Sequence, residues 1–226
     1  MFVVSDRKGD LDSAAEECRF VIEKIGRPGV AAKVFAQVGL SIGRAAFFER
    51  GITIPPDVNV DDSAPTPEIL AEFLPVTDHF FYCGHGAHGV DESGLAVVNN
   101  NGEHTMFSEN DILSLHVLRG RPIVVLSACE TAMGGHGSSE LFDIASSFLR
   151  VGARFVVGSL WLVIEDCATT FTAELYEALA SGENPDKAFA KAMRATRQHR
   201  LADTSTRAVP ASHPIYWAPF IAIQGS

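Results

Sequence analysis

Cysteine is scarce: there are four, at 18, 83, 129 and 167, and no two form a close Cys-x-x-Cys pair. That spacing excludes a disulfide framework or a zinc-finger pattern and suits a reducing compartment. Long apolar runs are also missing. The longest, Phe155 to Ile164, falls far short of the roughly 20 residues a membrane-spanning helix needs. The opening stretch, Met1-Phe2-Val3-Val4-Ser5-Asp6, is too brief for a secretory signal. Positive charge is in deficit. With 18 Lys and Arg against 28 Asp and Glu, the formal net charge is -10. A balance of that sign argues against nucleic acid or an anionic membrane as a partner. No Gly-x-Gly-x-x-Gly or phosphate-loop signature opens a helix, which disfavours a nucleotide fold. No repeat or low-complexity tract is present. The expectation is a soluble, cytoplasmic protein.

The apolar fraction of 46% and the length of 226 residues support one domain, 1–226, with a sizeable core. The most informative stretch is Arg121-Pro122-Ile123-Val124-Val125-Leu126-Ser127-Ala128-Cys129-Glu130-Thr131. Its apolar half is too short for a helix and rich in β-branched residues, which predicts a strand buried on both faces. It runs into Cys129 and a loop with glycines at 134, 135 and 137. Two further buried strands are predicted. One spans His79 to Cys83 and leads into Gly84-His85-Gly86-Ala87-His88-Gly89. The other spans Arg154 to Trp161 and leads to Glu165-Asp166.

Between and around these strands, helix signals recur. Leu11, Ala14, Ala15, Cys18, Val21, Ile22 and Ile25 fall at helical spacing, after a first strand over 2–4 and a polar turn over 5–9. Thr66-Pro67-Glu68 starts a helix that runs to about Phe73. Asn99-Asn100-Asn101-Gly102 between apolar runs predicts a hairpin of 95–98 with 103–107. Ser108 and Asp111 cap a short helix. Leu141 to Leu149 forms a helix closed by Gly152; others cover 166–180 and the segment after Asn184-Pro185. The segment 29–64 is the least legible, with a strand near Val34, a helix near 40–50 and a loop over 55–65. His213 to Ile223 is expected to return as a last strand. Strands alternating with helices predict an α/β sandwich with a mostly parallel sheet.

Ligands in such sheets bind beyond the carboxyl ends of the strands. If strands 79–83 and 122–128 are neighbours about 4.8 Å apart, His85 and Cys129 approach one another. A free thiol is mostly protonated at neutral pH, so a nearby imidazole makes the thiolate nucleophile available. The amides of Gly86 and Cys129 would then hold an oxyanion. Glu165 or Asp166 would select a basic substrate side chain by charge pairing. Structural alternatives exist for each residue. Buried cysteine is common in cores, which is the reading for Cys83. Acids also favour the first turn of a helix for its dipole alone. Cys83, His85 and His88 have poor spacing for a closed metal site, so no metal is expected. His104 is expected to be exposed, and His136 lies in the glycine loop where substrate would pass.

The ordered set His85-Gly86, Ser127-Ala128-Cys129-Glu130-Thr131, Gly152-Ala153, Ser159-Leu160-Trp161, His213-Pro214 and Tyr216-Trp217-Ala218 resembles the CHAT family. These are caspase-like, separase-related cysteine peptidases. The match covers roughly 66 to 226, and the start at Gly9-Asp10-Leu11 with Ala14, Ala15 and Glu17 is similar as well. The resemblance implies a caspase-like three-layer sandwich with a β-hairpin insertion. It implies His85 as general base, Cys129 as nucleophile, no metal and no cofactor. It also implies a protein or peptide substrate, regulation by a partner protein or by cleavage, and a role in bacterial defence or cell-death signalling. In separase-like relatives an acid shortly after the Trp reads a P1 arginine. Here Trp161-Leu162-Val163-Ile164-Glu165 carries Glu where the pattern has Asp, with Asp166 one place later. The chain begins almost at the edge of the resemblance, as a stand-alone protease or a fragment would. A rival reading is a silent caspase-like scaffold that binds partners through the same cleft, which would have no need of both His85 and Cys129.

Overall fold

The computed structural model describes residues 1–6, 8–11, 13–25, 33–88, 93–128, 140–161, 163–199 and 213–225. Its first strand, β1 (Phe2–Asp6), is followed by α1 (Ala14–Ile25), β2 (Lys33–Val38), β3 (Ser41–Ile42), α2 (Arg44–Glu49) and β4 (Asn59–Asp61). Next come α3 (Pro67–Phe73), β5 (His79–Gly84), β6 (Gly86–His88), β7 (Ser93–Val98), β8 (His104–Ser108) and α4 (Glu109–Ser114). The last part holds β9 (Ile123–Ala128), α5 (Glu140–Arg150), β10 (Phe155–Ser159), α6 (Glu165–Ala180), α7 (Pro185–Gln198), α8 (Pro214–Trp217) and β11 (Phe220–Gln224).

Among the described residues, eight strands join one sheet in the order β11-β10-β9-β5-β1-β2-β3, with β4 also on β2. The pairings β10–β9, β9–β5, β5–β1, β1–β2 and β2–β4 are parallel, and only β11 and β3 pair antiparallel. The central strands are buried on both faces, as their unbroken apolar runs require. Side chains alternate between faces along each strand. One face carries Phe2, Val4, Phe81, Cys83, Ile123 and Val125 against Cys18 and Val21 of α1, Phe171 and Leu175 of α6, and Ala188 and Ala192 of α7. The other carries Val3, Phe80, Tyr82, Val124 and Leu126 against Leu70 of α3, Ile112 of α4, Phe148 of α5 and the hairpin residues Leu95, Val97 and Phe107. Two apolar layers on a central sheet make the three-layer α/β sandwich. The small Ala188 and Ala192 let α7 pack closely on its neighbours, since larger side chains would hold it off.

Local signals account for most boundaries. Thr66 caps α3 by accepting from the Ile69 amide, with Pro67 in the first turn. Ser108 and Asp111 form a reciprocal capping box at α4. The turn between β7 and β8 closes on Asn99, whose side chain accepts from Asn101 and Glu103, with Gly102 at φ 74. That hairpin gains a third strand, β6, so Gly86-Ala87-His88 is paired strand and more than a glycine loop.

Four expectations are corrected. The first strand extends through Ser5 and Asp6, because the Asp6 carboxylate is buried and bonded by the turn that follows. Leu11 lies before α1, although it still packs on the core. The 55–65 loop contains β4, which extends the sheet beside β2. The final segment is not one strand. Pro214–Trp217 is a helical turn capped by His213, and only Phe220–Gln224 is strand, because proline at 214 and at 219 breaks the ladder.

Candidate functional site

The site lies at the carboxyl end of the sheet, where β1, β5 and β9 stop side by side. Their registers pair Ser5 with Gly84 and Gly84 with Ala128. Asp6, His85 and Cys129 are therefore the next residues of three adjacent parallel strands. Cys129 itself lies outside the described residues, as do Glu130, Thr131 and His136 of the glycine loop. By alternation, Asp6 and His85 follow Val4 and Cys83 onto the face covered by α1 and α6. Gly84 is obligatory, since a Cβ there would come within 2.6 Å of the Ser5 carbonyl and the Tyr82 hydroxyl. Its absence of a side chain lets β5 and β1 close up just before His85. The His85 carbonyl is held at 2.7 Å by the Tyr82 hydroxyl and at 2.9 Å by the Ala96 amide.

The ring of His85 is gripped by two acids, Asp6, which sequence reasoning placed in a polar turn, and Asp10, which it gave only as part of the start similar to the family's. Nε2 lies 2.7 Å from Asp10 Oδ1 and 3.8 Å from Asp6 Oδ1. Asp6 is fully buried and held from every side. Its Oδ1 accepts from the Gly9 and Asp10 amides, while Oδ2 accepts from the Leu11 amide and from Arg50 Nη2 at 3.1 Å. Arg50 also donates to the Gly9 carbonyl, which locks the turn that carries Asp10. Burial by itself would push the Asp6 carboxyl up. The His85 ring and the three amides outweigh it and hold the group below its ordinary value.

His85 is shifted upward, first by Asp6, against the opposing pull of burial, and then by Asp10. The nearer partner has the smaller influence because it is the wetter one. Asp10's side chain is 56% exposed and Asp6's is fully enclosed, so water screens the former far more. With Nε2 facing the carboxylates, that nitrogen carries the proton in the neutral ring. Nδ1, which has no hydrogen-bond partner among the described residues, is left as the acceptor. Asp6, Asp10 and His85 also form the one cluster of possible metal ligands among the described residues. Both oxygens of Asp6 are already taken by amides and Arg50, so the group reads as a hydrogen-bonded relay.

Gly86 opens β6 and stands opposite Leu95 of β7. His85 and Ala96 are an opposed, hydrogen-bonded pair, so the next pair, Gly86 with Leu95, is the non-bonded kind. The Gly86 amide therefore turns away from β7. Glu165 and Asp166 form the first turn of α6, Glu165 half-buried and Asp166 exposed. The Ser159-Leu160-Trp161 segment before them is tied to the final turn, with Trp161 Nε1 donating to the Ile215 carbonyl and the Leu160 amide to the Pro219 carbonyl. Two segments far apart in the chain thus brace the same end of β10. Cys83 and Cys167 are buried in the core, and His104 is exposed. The side chain of His88 lies outside the described residues. Two cavities of about 430 and 360 Å³ open at the opposite, amino end of the sheet, around Arg154, and neither is lined by His85.

The acid at the end of β1 had a readable signal. Asp6 ends an apolar run just as His85 and Cys129 do, and that parallel was available in the residues alone.

The model of the CHAT domain matches residues 4–226. No curated protein matches the chain. Among solved structures, the chain is similar to the pyridoxal kinase from Staphylococcus aureus in complex with AMP-PCP. That likeness has 10% identity and a TM-score of 0.36, over 99% of this chain and 97% of the other.

Proposed function

Because the chain belongs to the CHAT family, a caspase-like family related to cysteine peptidases, we propose that it is a cysteine endopeptidase acting through His85 and Cys129. The observation that carries this reading is the strand register. Gly84 stands opposite Ala128 in a parallel pair, so the residues that follow are a histidine and a cysteine on neighbouring strands. Parallel neighbours lie about 4.8 Å apart, within the reach of an imidazole for a thiol.

In this mechanism Cys129 Sγ loses its proton to His85 Nδ1 and attacks the scissile carbonyl carbon. The C–S bond forms as the carbonyl oxygen takes the negative charge. The Gly86 and Cys129 amides donate to that oxygen. When the tetrahedral intermediate collapses, the C–N bond breaks and the imidazolium gives its proton to the leaving amine. Water then repeats the sequence on the thioester, with His85 again as base, and releases the acid. Asp10 and Asp6 keep the ring turned with Nδ1 outward and stabilise its charged form, the part an orienting acid plays for any nucleophile–histidine pair. Glu165 or Asp166 reads a basic P1 side chain. Substrates are proteins or peptides in the cytoplasm, and a regulatory protein controls access.

The test is covalent labelling by a peptidyl acyloxymethyl ketone, followed by a mixed peptide library with the cut sites sequenced. The unmodified chain should label and Cys129→Ala should not. Equal labelling of the two would end the protease reading. Equal cleavage after Arg and after Leu would remove the P1 role of Glu165 and Asp166 alone.

A further inference from the structure

Beneath the site lies a carboxyl group that the mechanism above does not use. Glu17 of α1 is 2% exposed, yet no cation meets it among the described residues. Three hydroxyls hold it instead. Ser127 Oγ donates to Oε2 at 2.9 Å, Thr172 Oγ1 donates to the same oxygen at 3.0 Å, and Ser13 Oγ reaches Oε1 at 3.4 Å. Each hydroxyl belongs to an element that carries part of the site. Ser127 lies on β9, two residues before Cys129. Thr172 lies on α6, two turns after Glu165 and Asp166. Ser13 follows the turn whose Asp10 holds His85.

We propose that Glu17 is a positioning residue for this site: through Ser127 and Thr172 its carboxylate sets the strand leading to Cys129 against the helix presenting Glu165 and Asp166. The inference rests on the protease reading and deepens it. An apolar contact would resist separation of β9 and α6 equally in all directions. Two hydroxyls converging on one oxygen fix their relative placement in direction as well as distance.

The grip depends on charge. An ionised carboxylate accepts from all three hydroxyls. A protonated one must itself donate, so one of the hydroxyls on its oxygens has to turn away. Burial pushes the Glu17 carboxyl up to about 7, while Ser127, Thr172 and Ser13 pull it down and the charge of Glu165 adds to the rise. Of the other titratable groups around it, Cys18 on its own helix and Tyr176 of α6 are both raised by burial and stay neutral. From β1 and β5, which also pack on α1, the groups on this face are Asp6, His79, Cys83 and His85, and none of them bonds Glu17. The competent state is the ionised one.

The test measures the rate of labelling by the peptidyl acyloxymethyl ketone from about pH 5 to about pH 9, on the full chain and its variants. Taking each rate relative to Glu17→Gln cancels the titration of His85 and of the thiol. Above the carboxyl's transition near pH 7, the unmodified chain should label about tenfold faster than Glu17→Gln, and the gap should close at lower pH. Thr172→Val removes one donor to the charged form and should move the opening of the gap to higher pH; Thr172→Ser should restore it. A ratio that does not change with pH overturns the inference while leaving the protease reading intact. No labelling of the unmodified chain removes both. If Glu17→Gln fails to fold, the displaced inflection in Thr172→Val decides: an unmoved profile sinks the proposal.

Discussion

Two histidines six residues apart bracket β5, one its first residue and the other the residue just past its end, and the fold gives them opposite characters. His79 sits at the amino end, with its ring edge-on to Tyr176 at 5.2 Å and Nε2 2.6 Å from the Tyr176 hydroxyl. Burial pushes it down to about 3, and the charge of Arg154 adds to the fall. Although some of its surface stays open, the ring itself is walled by Phe2 and Tyr176, and that environment governs its charge. His85, at the carboxyl end, meets Asp10 and Asp6 and is raised. One imidazole is held neutral by burial, and the other has its charged form favoured by two acids. What separates them is which end of a parallel sheet they occupy. At the carboxyl end the chain leaves the sheet in loops and turns, and turns supply acids and unpaired amides.

The contrast is broken most directly by deletion. His85→Ala should lower peptide hydrolysis about a thousandfold, the scale of a lost general base, while His79→Phe should leave kcat/KM within about twofold. Comparable losses in steady-state assays of the two variants would mean that the strand end does not set the role. The next largest effect is expected at Asp6. Asp6→Asn keeps the shape but offers one acceptor oxygen to three amides and Arg50, and should cost about 2–3 kcal/mol by denaturant unfolding. It should also lower the His85 pKa followed by NMR more than Asp10→Asn does, because Asp10 is screened by water.

Stability should depend on pH with opposite signs for the two rings. His79 is depressed when folded, so its contribution is present above its unfolded value of 6.5 and is lost as pH falls toward about 3. His79→Phe should therefore flatten the acid side of a plot of unfolding free energy against pH, by at most about 5 kcal/mol. His85 is raised, so its contribution is present below 6.5 and is lost as pH climbs through its folded value. Glu17 is raised as well, from 4.5 to about 7, and its contribution is lost across that interval as pH rises. Glu17→Gln should remove that loss. A His79→Phe chain with an unchanged acid limb would show that the ring is not buried in the folded state. The smallest effect belongs to Asp10→Asn, which leaves a hydrogen bond to Nε2 and should reduce kcat by about two- to fivefold with little change in Tm.

Much of the molecule could be read before folding was considered. The buried strands at 79–83 and 122–128, the capped helix at Thr66, the capping box at Ser108 and the Asn-Gly hairpin all depend on neighbours a few residues away, and all are present. The candidate site was read as three strand ends, because a polar residue following an apolar run is a local pattern; the structure describes His85 and Glu165–Asp166 there, and Cys129 lies outside the described residues. The same pattern at Asp6 was passed over, since an acid before Lys8 and Gly9 looks like an ordinary turn. Its burial depends on Arg50, which lies 44 residues away and is brought in by α2. β4 and the turn at Pro214–Trp217 were missed for a related reason. A three-residue strand has almost no pattern of its own and exists because β2 offers it a partner.

By itself the sequence determined which segments are strand or helix, where most of them stop, and which side chains stand at the stops. Those outcomes follow from spacing, capping and backbone sterics over a few residues. Only the tertiary structure decided that β1 lies beside β5, that one histidine meets two acids while its neighbour meets a tyrosine, and that Glu17 sits under Ser127 and Thr172. Strand order is chosen by how the whole core packs, and a charge takes its character from groups that are distant along the chain.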